Sequence, residues 1–182
     1  QILIKVLKSN KVSFFQLRLK NDKLNKKIRI AKKVSKICKK FNVKFLVNDD
    51  PNLANLVKAD GCHLGQKDMN IYNARKILRN KIIGITCHNS IKLAKKAAIN
   101  KASYIAIGAF NNSKTKNVVY RASFKILRKI KSTVKLPIVA IGGINEKNYN
   151  KLLLNKADFL AMSGYIWKNN ELSPLAAIKK LK

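Results

Sequence analysis

Seven short apolar runs, separated by longer stretches of helical period, limit what this chain can fold into more than any other feature. The runs are "FFQLR" (14–18), "KFLVN" (44–48), "GCHLG" (61–65), "IIGIT" (82–86), "YIAIGA" (104–109), "PIVAIGG" (137–143) and "FLAMSG" (159–164). Several are apolar on both faces, the pattern of parallel strands covered above and below. After the first, Leu24, Ile28, Ala31, Val34, Cys38 and Phe41 recur at intervals of three and four, which predicts a helix capped by Asp22. "NIYNARKIL" (70–78) and "NSIKLAKKAA" (89–98) predict two more helices, each opening on a capping side chain. Residues 1–10 read as a helix ahead of the first strand. The segments "KADGCHLG" at 58, "KASYIAIG" at 101 and "KADFLAMSG" at 156 echo one another, so one helix-to-strand unit recurs along the chain. Such alternation gives a parallel sheet with helices outside it.

The polar residues choose between an open sheet and a closed barrel. Polar or glycine positions follow nearly every run: Arg18 and Lys20, Asn48 and Asp49, Gly65 to Asp68, Thr86, Gly108 onward, Gly142 and Gly143, Ser163 and Gly164. Chemistry gathered at the C-terminal ends of all strands is the pattern of an α/β fold of the TIM (β/α)8 barrel type. Seven strands are counted where eight are expected, so the first strand is missing from this chain and is expected upstream of Gln1. A single barrel domain over 1–182 follows, since 182 residues suffice for one core without disulfides or metals. The same topology sorts the acids. Asp60 and Asp158 precede their strands, at the face where polar residues serve stability, whereas Asp49, Asp50 and Asp68 follow theirs.

Forty Lys and Arg against eight Asp and Glu give a net charge of +32, which suggests nucleic acid at first sight. Only six of the forty are Arg, the residue suited to forking onto phosphates and bases, and the lysines are spread over almost every predicted helix. Dispersed lysine predicts salt-sensitive adhesion to polyanions without sequence preference, and no specific nucleic-acid partner. Cys38, Cys62 and Cys87 form no CxxC pair and are odd in number, which fits reduced thiols. Neighbouring residues of a strand face opposite ways, so neither Cys62-His63 nor Cys87-His88 can chelate one zinc. No apolar run approaches a membrane span and no signal peptide is legible, so a cytoplasmic location is expected.

At this point the motifs resemble the thiamine phosphate synthase family, over nearly the whole chain from about residue 10. The family carries Q-x-R-x-K after its second strand, and here "QLRLK" supplies Gln16, Arg18 and Lys20. Its N-D and A-D-G-x-H-x-G-Q-x-D segments are matched by "VNDD" and "ADGCHLGQKD", with the same interval between the two aspartates. "GITCH", "SKTK" and "LPIVAIGGI" match three later segments. The chain departs from the family pattern in "GAFNNSKTK", where a proline followed by threonine is usual. It departs again in "MSGYI", where "VSAI" is usual, and after Lys116 an expected glycine is absent.

The resemblance implies a transferase of thiamine biosynthesis that joins hydroxymethylpyrimidine diphosphate to a thiazole phosphate and releases pyrophosphate. It implies Asp49 and Asp68 as ligands of Mg2+, with Arg18, Lys20 and Lys116 as the catalytic cations around the diphosphate. Ser113 and Thr115 would add hydroxyls. Gln16, Asn48, His63 and Thr86 would line the pyrimidine pocket, while Gly142, Gly143, Ser163 and Gly164 would hold the thiazole phosphate. His88 is expected to be structural, and Asp50 a solvated neighbour of the metal. Two other readings within the resemblance are a thiazole tautomerase-like enzyme and a non-catalytic phosphate-binding paralogue. Small molecules are the expected partners, with no membrane, and homo-oligomerisation is left open.

Overall fold

The computed structural model describes residues 1–112 and 118–181. It contains two compact units, Gln1–Gly84 and Ile85–Lys182. The first holds α1 (Ile2–Leu7), β1 (Phe14–Leu17), α2 (Leu24–Lys40), β2 (Lys44–Asn48), α3 (Pro51–Leu56), β3 (Gly61–Leu64) and α4 (Ile71–Leu78), and β4 (Ile82–His88) begins in it. The second holds α5 (Ile91–Ile99), β5 (Tyr104–Gly108), α6 (Phe124–Thr133), β6 (Ile138–Ile141), α7 (Tyr149–Leu154), β7 (Phe159–Ala161), α8 (Gly164–Trp167) and α9 (Pro174–Lys179). Among the described residues the strands run in chain order, β1 to β7, and β1–β2, β2–β3, β5–β6 and β6–β7 pair in parallel. This is the (β/α)8-barrel class with seven of its strands among the described residues.

All seven expected strands form, with shifts only at their ends. β2 spans the expected run, β4 continues to His88, and "FLAMSG" is a strand only to Ala161. In the first unit β2 and β3 are buried on both faces, and Phe45, Leu46, Val47, Cys62 and Leu64 pack with Ala31 and Cys38 of α2 and Ala54 of α3. In the second, Ile105, Ile107, Ile138 and Ala140 pack with Leu127 and Ile130 of α6 and Leu152 of α7. Each fully buried Leu, Ile or Phe contributes about 1.5–3 kcal/mol, so these rows carry much of each unit's stability. β1 and β7, at the two ends of the strand order, are the exposed strands, with Phe14 38% and Phe159 39% accessible.

Helix starts correct one expectation. Asp22 does not cap α2; the N-cap is Lys23, without a side-chain bond, and Asp22 pairs instead with Lys26 one turn on. Asn70 and Ser90 do cap α4 and α5, accepting from the N–H of Asn73 and Leu93.

The helix-to-strand echo is a shared backbone device. Lys58, Lys101 and Lys156 all take left-handed φ, of 53°, 58° and 76°. Each is followed by an alanine whose N–H reaches five residues back: Ala59 to Ala54, Ala102 to Ala97 and Ala157 to Leu152. Asn42 and Val43 repeat the arrangement at the end of α2. These are Schellman caps, and the αL position is usually glycine. Two of the echoes continue into an aspartate that binds the neighbouring strand twice. Asp60 gives its N–H to Phe45 O and takes the Phe45 N–H on its carboxylate, each at 2.9 Å. Asp158 does the same with Ile138, at 2.9 and 2.7 Å. Lys44 and Lys131 pair with these two carboxylates. Both aspartates therefore lie at the N-terminal ends of their strands and hold structure, as expected.

Candidate active site

In the first unit the strand ends bring together most of the residues expected on the diphosphate side. Gln16 is in register with Leu46, so Asn48, two residues further, lies on the same face. The Gln16 carboxamide donates to Asn48 Oδ1. Asn48 is in turn the register partner of His63, which is 8% exposed. Arg18 and Lys20 stand exposed just beyond β1. A small hollow at these ends is lined by Leu17, Leu19, Val47, Asn48 and Asp50, among others.

The acids separate by role. Asp49 takes φ 67° and gives its N–H to His63 O at 2.8 Å. Of the eight non-glycine residues with positive φ among the described residues, six follow helix ends, and Asp49 and His88 close strands. A carboxylate residue held in a sparsely populated conformation at a strand end is a local cost of the kind that gathers at functional sites. The turn at Asp49 also sends the chain into α3, where Asp50 accepts the Leu53 N–H at 2.9 Å. Asp50 is thus the N-cap of α3, directly next to Asp49, a capping role that the sequence reading did not give it. Asp68 folds back onto its own loop, taking the Gly65 N–H on Oδ2 at 2.7 Å. All three carboxylates act on the buried thiol of Cys62. Burial first, and then Asp50, Asp49 and Asp68, push it up to about 12. Asp49 and Asp50 follow the end of β2, and Asp68 lies in the loop after its parallel partner β3.

In the second unit the expected phosphate-side residues are held by a series of braces. Gly142 and Gly143 take φ of 94° and 62°, and a Cβ on either would lie 2.3 Å from Ala109 Cβ or 2.2 Å from Asn112 O. Both positions therefore require glycine. The segment after β5 lies against this loop, with Phe110 N–H on Ile141 O and Asn111 N–H on Gly142 O, each 3.1 Å. Residues 120–122 brace that segment in turn, through Ala109 N–H to Tyr120 O and Ala122 N–H to Ala109 O. Arg121 donates to Asn112 Oδ1, and Asn89 holds Arg121 O at 2.9 Å. His88 packs its ring on Tyr120, centroids 4.3 Å apart, consistent with the structural role expected of it. Thr86 is half-buried within β4. Ser163 is the N-cap position of α8, which opens at Gly164, and its hydroxyl makes no capping bond. The Glu146 carboxylate and the Tyr165 phenol, each with an oxygen shielded from solvent, interact with one another. Burial and then this carboxylate push the Tyr165 phenol up to about 12. Ser113, Thr115 and Lys116 lie outside the described residues.

Residues 1–166 match the family model described as thiamine monophosphate synthase. The chain belongs to the thiamine monophosphate synthase family. The thiamine-phosphate synthase of Pelagibacter ubique (strain HTCC1062) is 64% identical over 177 residues, which cover 97% of this chain and 86% of that protein. The thiamine phosphate pyrophosphorylase of Pyrococcus furiosus superposes with a TM-score of 0.86 at 29% identity, covering 97% of this chain and 85% of that one. A 3-hexulose-6-phosphate synthase superposes at 0.71 with 15% identity over 99% and 90% of the two chains, which is likeness of fold alone.

Reading the sequence missed the braces of this loop: Asn89, Asn111, Asn112, Tyr120 and Arg121. Most act through backbone groups or single carboxamides, and the sequence holds no signal for them.

Proposed function

We propose that the chain is a thiamine-phosphate synthase, a transferase joining hydroxymethylpyrimidine diphosphate to thiazole phosphate with release of pyrophosphate. The observation that carries this reading is the pair Asp49 and Asp68 at consecutive strand ends, beside Gln16, Asn48 and His63, in a chain of this family. The tautomerase-like reading has no use for a diphosphate site, and the clustering of that set argues against it.

Among the described residues no group of three or more His, Cys, Asp or Glu could hold a metal. Mg2+ commonly takes one or two carboxylates and fills its octahedron with phosphate oxygens and water. Asp49 and Asp68 would hold it, and when bound it would neutralise charge on the diphosphate. Arg18 would fork onto two diphosphate oxygens, with Lys20 and Lys116 as point charges and Ser113 and Thr115 as hydroxyl donors. Gln16, Asn48, His63 and Thr86 would orient the pyrimidine. Gly142, Gly143, Ser163 and Gly164 would hold the thiazole phosphate. The bond from the pyrimidine methylene to the diphosphate oxygen breaks with its electron pair on that oxygen. The lone pair of the thiazole nitrogen forms the new C–N bond, and pyrophosphate departs. Stabilising the departing charge is the main catalytic work of the cations.

The test is incubation with both substrates and magnesium, followed by chromatography for thiamine phosphate and pyrophosphate. Equimolar formation of the two supports the reading. Absence of both from folded protein, with substrate binding intact, would leave the non-catalytic paralogue.

A further inference from the structure

Asn148 stands at the N-cap position of α7 and makes no side-chain bond to its own helix. Its carboxamide is turned back onto the glycine loop instead. Nδ2 donates to Gly143 O at 3.0 Å, and Oδ1 accepts the Asn145 N–H at 2.9 Å. Elsewhere among the described residues Asp50, Asn70, Ser90, Ser123 and Ser173 all spend their side chains on the helix they precede. The turn leading into α7 opens at Asn145, whose carbonyl accepts the Tyr149 N–H at 3.1 Å and whose Oδ1 accepts the Lys147 N–H at 2.9 Å, so the Asn148 Oδ1 bond closes a reciprocal cap while Nδ2 reaches out to the glycine loop. Together with the contacts from Phe110 and Asn111, the Nδ2 bond ties down the carbonyls of Ile141, Gly142 and Gly143 in turn. Gly143 is thereby held at φ 62°.

We infer that Asn148 is the positioning residue of the phosphate loop, presetting the backbone of Gly143 and Ile144 to receive the phosphate of the thiazole substrate. The inference rests on the transferase reading for the identity of that substrate. A backbone site binds an oxyanion well only when its N–H groups converge before the ligand arrives, because ordering them on binding lowers affinity. The carboxamide spans the loop with one donor and one acceptor, and a shorter side chain cannot do both.

Asn148→Ser shortens the side chain so that it cannot span from Asn145 to Gly143. The expected result is a melting temperature only a few degrees below that of the parent, the scale of one lost hydrogen bond. KM for thiazole phosphate should rise about tenfold, the scale of one lost hydrogen bond, with KM for the pyrimidine diphosphate unchanged. Asn148→Ala should show the same KM split with a lower melting temperature. A second readout needs no turnover. Titrating inorganic phosphate while following the Gly143 amide by NMR should saturate in the parent and require about ten times more phosphate in Asn148→Ser. A serine variant that matches the parent in both readouts overturns the inference, as does an equal rise in both KM values. A parent that makes no thiamine phosphate but shows the expected difference at Gly143 overturns the transferase reading and leaves this role of Asn148 standing.

Discussion

Asp60 takes the Phe45 N–H at 2.9 Å and the Lys44 ammonium at the start of β3, while Asp49 sits in a left-handed turn at the end of β2. Replacing each by asparagine should therefore have opposite consequences. Asp60→Asn weakens a charge-assisted bond to backbone that is partly exposed. It should cost about 1–2 kcal/mol, a few degrees in Tm for a chain of this size, with turnover of the folded fraction nearly intact. Asp49→Asn should abolish magnesium-dependent diphosphate binding and lower turnover about 10²–10³-fold, the scale for one strong electrostatic element. Without ligands its stability should hold, because asparagine keeps the side-chain volume and adopts the left-handed φ of 67° as readily as aspartate. Thermal melts and calorimetric titration with magnesium diphosphate check both. Parental diphosphate binding in Asp49→Asn would remove that residue from the metal site.

Cys87 gives a prediction in pH. Burial raises its thiol from 9.0 to about 12, so the folded protein holds this proton more tightly than the unfolded chain does. The resulting stability is complete below about pH 9 and is lost as pH rises from there to about 12. Melts from pH 8 to pH 11 should fall less steeply for Cys87→Ala than for the parent, even if the variant starts lower. Parallel curves would contradict the burial of this thiol. A thiol reagent at pH 8 should leave Cys38, Cys62 and Cys87 unmodified until the protein is unfolded, since all three are buried.

Among the secondary-structure elements, the helix ends carry a cost that can be removed. Lys58 and Lys156 are exposed, lie in the left-handed region, and hold Schellman caps that glycine would fill without a Cβ penalty. Lys58→Gly and Lys156→Gly should each raise stability by about 0.5–1 kcal/mol, the relief of strain exceeding the extra freedom of glycine in the unfolded chain. The two sites lie at the ends of different helices, α3 and α7, so the effects should add. Chemical denaturation of the single and double variants checks this. A loss of stability would mean that the lysine stems make contacts worth more than the strain.

Taken as one charged body, the protein has eight acids to set against forty bases, a net charge of +32. Self-repulsion of that size opposes compaction, and salt screens it over about 10 Å at 0.1 M. Raising sodium chloride from 50 to 500 mM should therefore raise Tm by several degrees, and added DNA should bind without sequence preference and dissociate over the same range. A footprint on one DNA sequence at physiological salt would overturn this account. Among the described residues no helix is long and apolar enough to cross a membrane.

The strands, their parallel sense and the side of the fold on which each aspartate lies were legible in the chain. Apolar periodicity is a property of near neighbours, and strand direction then places Asp60 before β3 and Asp49 after β2. The resemblance carried the site residues because residue types at fixed intervals survive changes in the loops between them. The destination of individual side chains was not legible. Asp22 and Asp50 are both acids close to a helix start, yet only Asp50 caps, because one residue of difference in the turn decides which carboxylate meets an open N–H. Asn148 reads as a cap until folding sets Gly143 O within its reach, and Gly142 needs glycine because Ala109, more than thirty residues earlier, packs where its Cβ would be. A hydrogen bond goes to whichever partner arrives at the right distance and angle, and for these residues folding brings that partner from outside the local pattern.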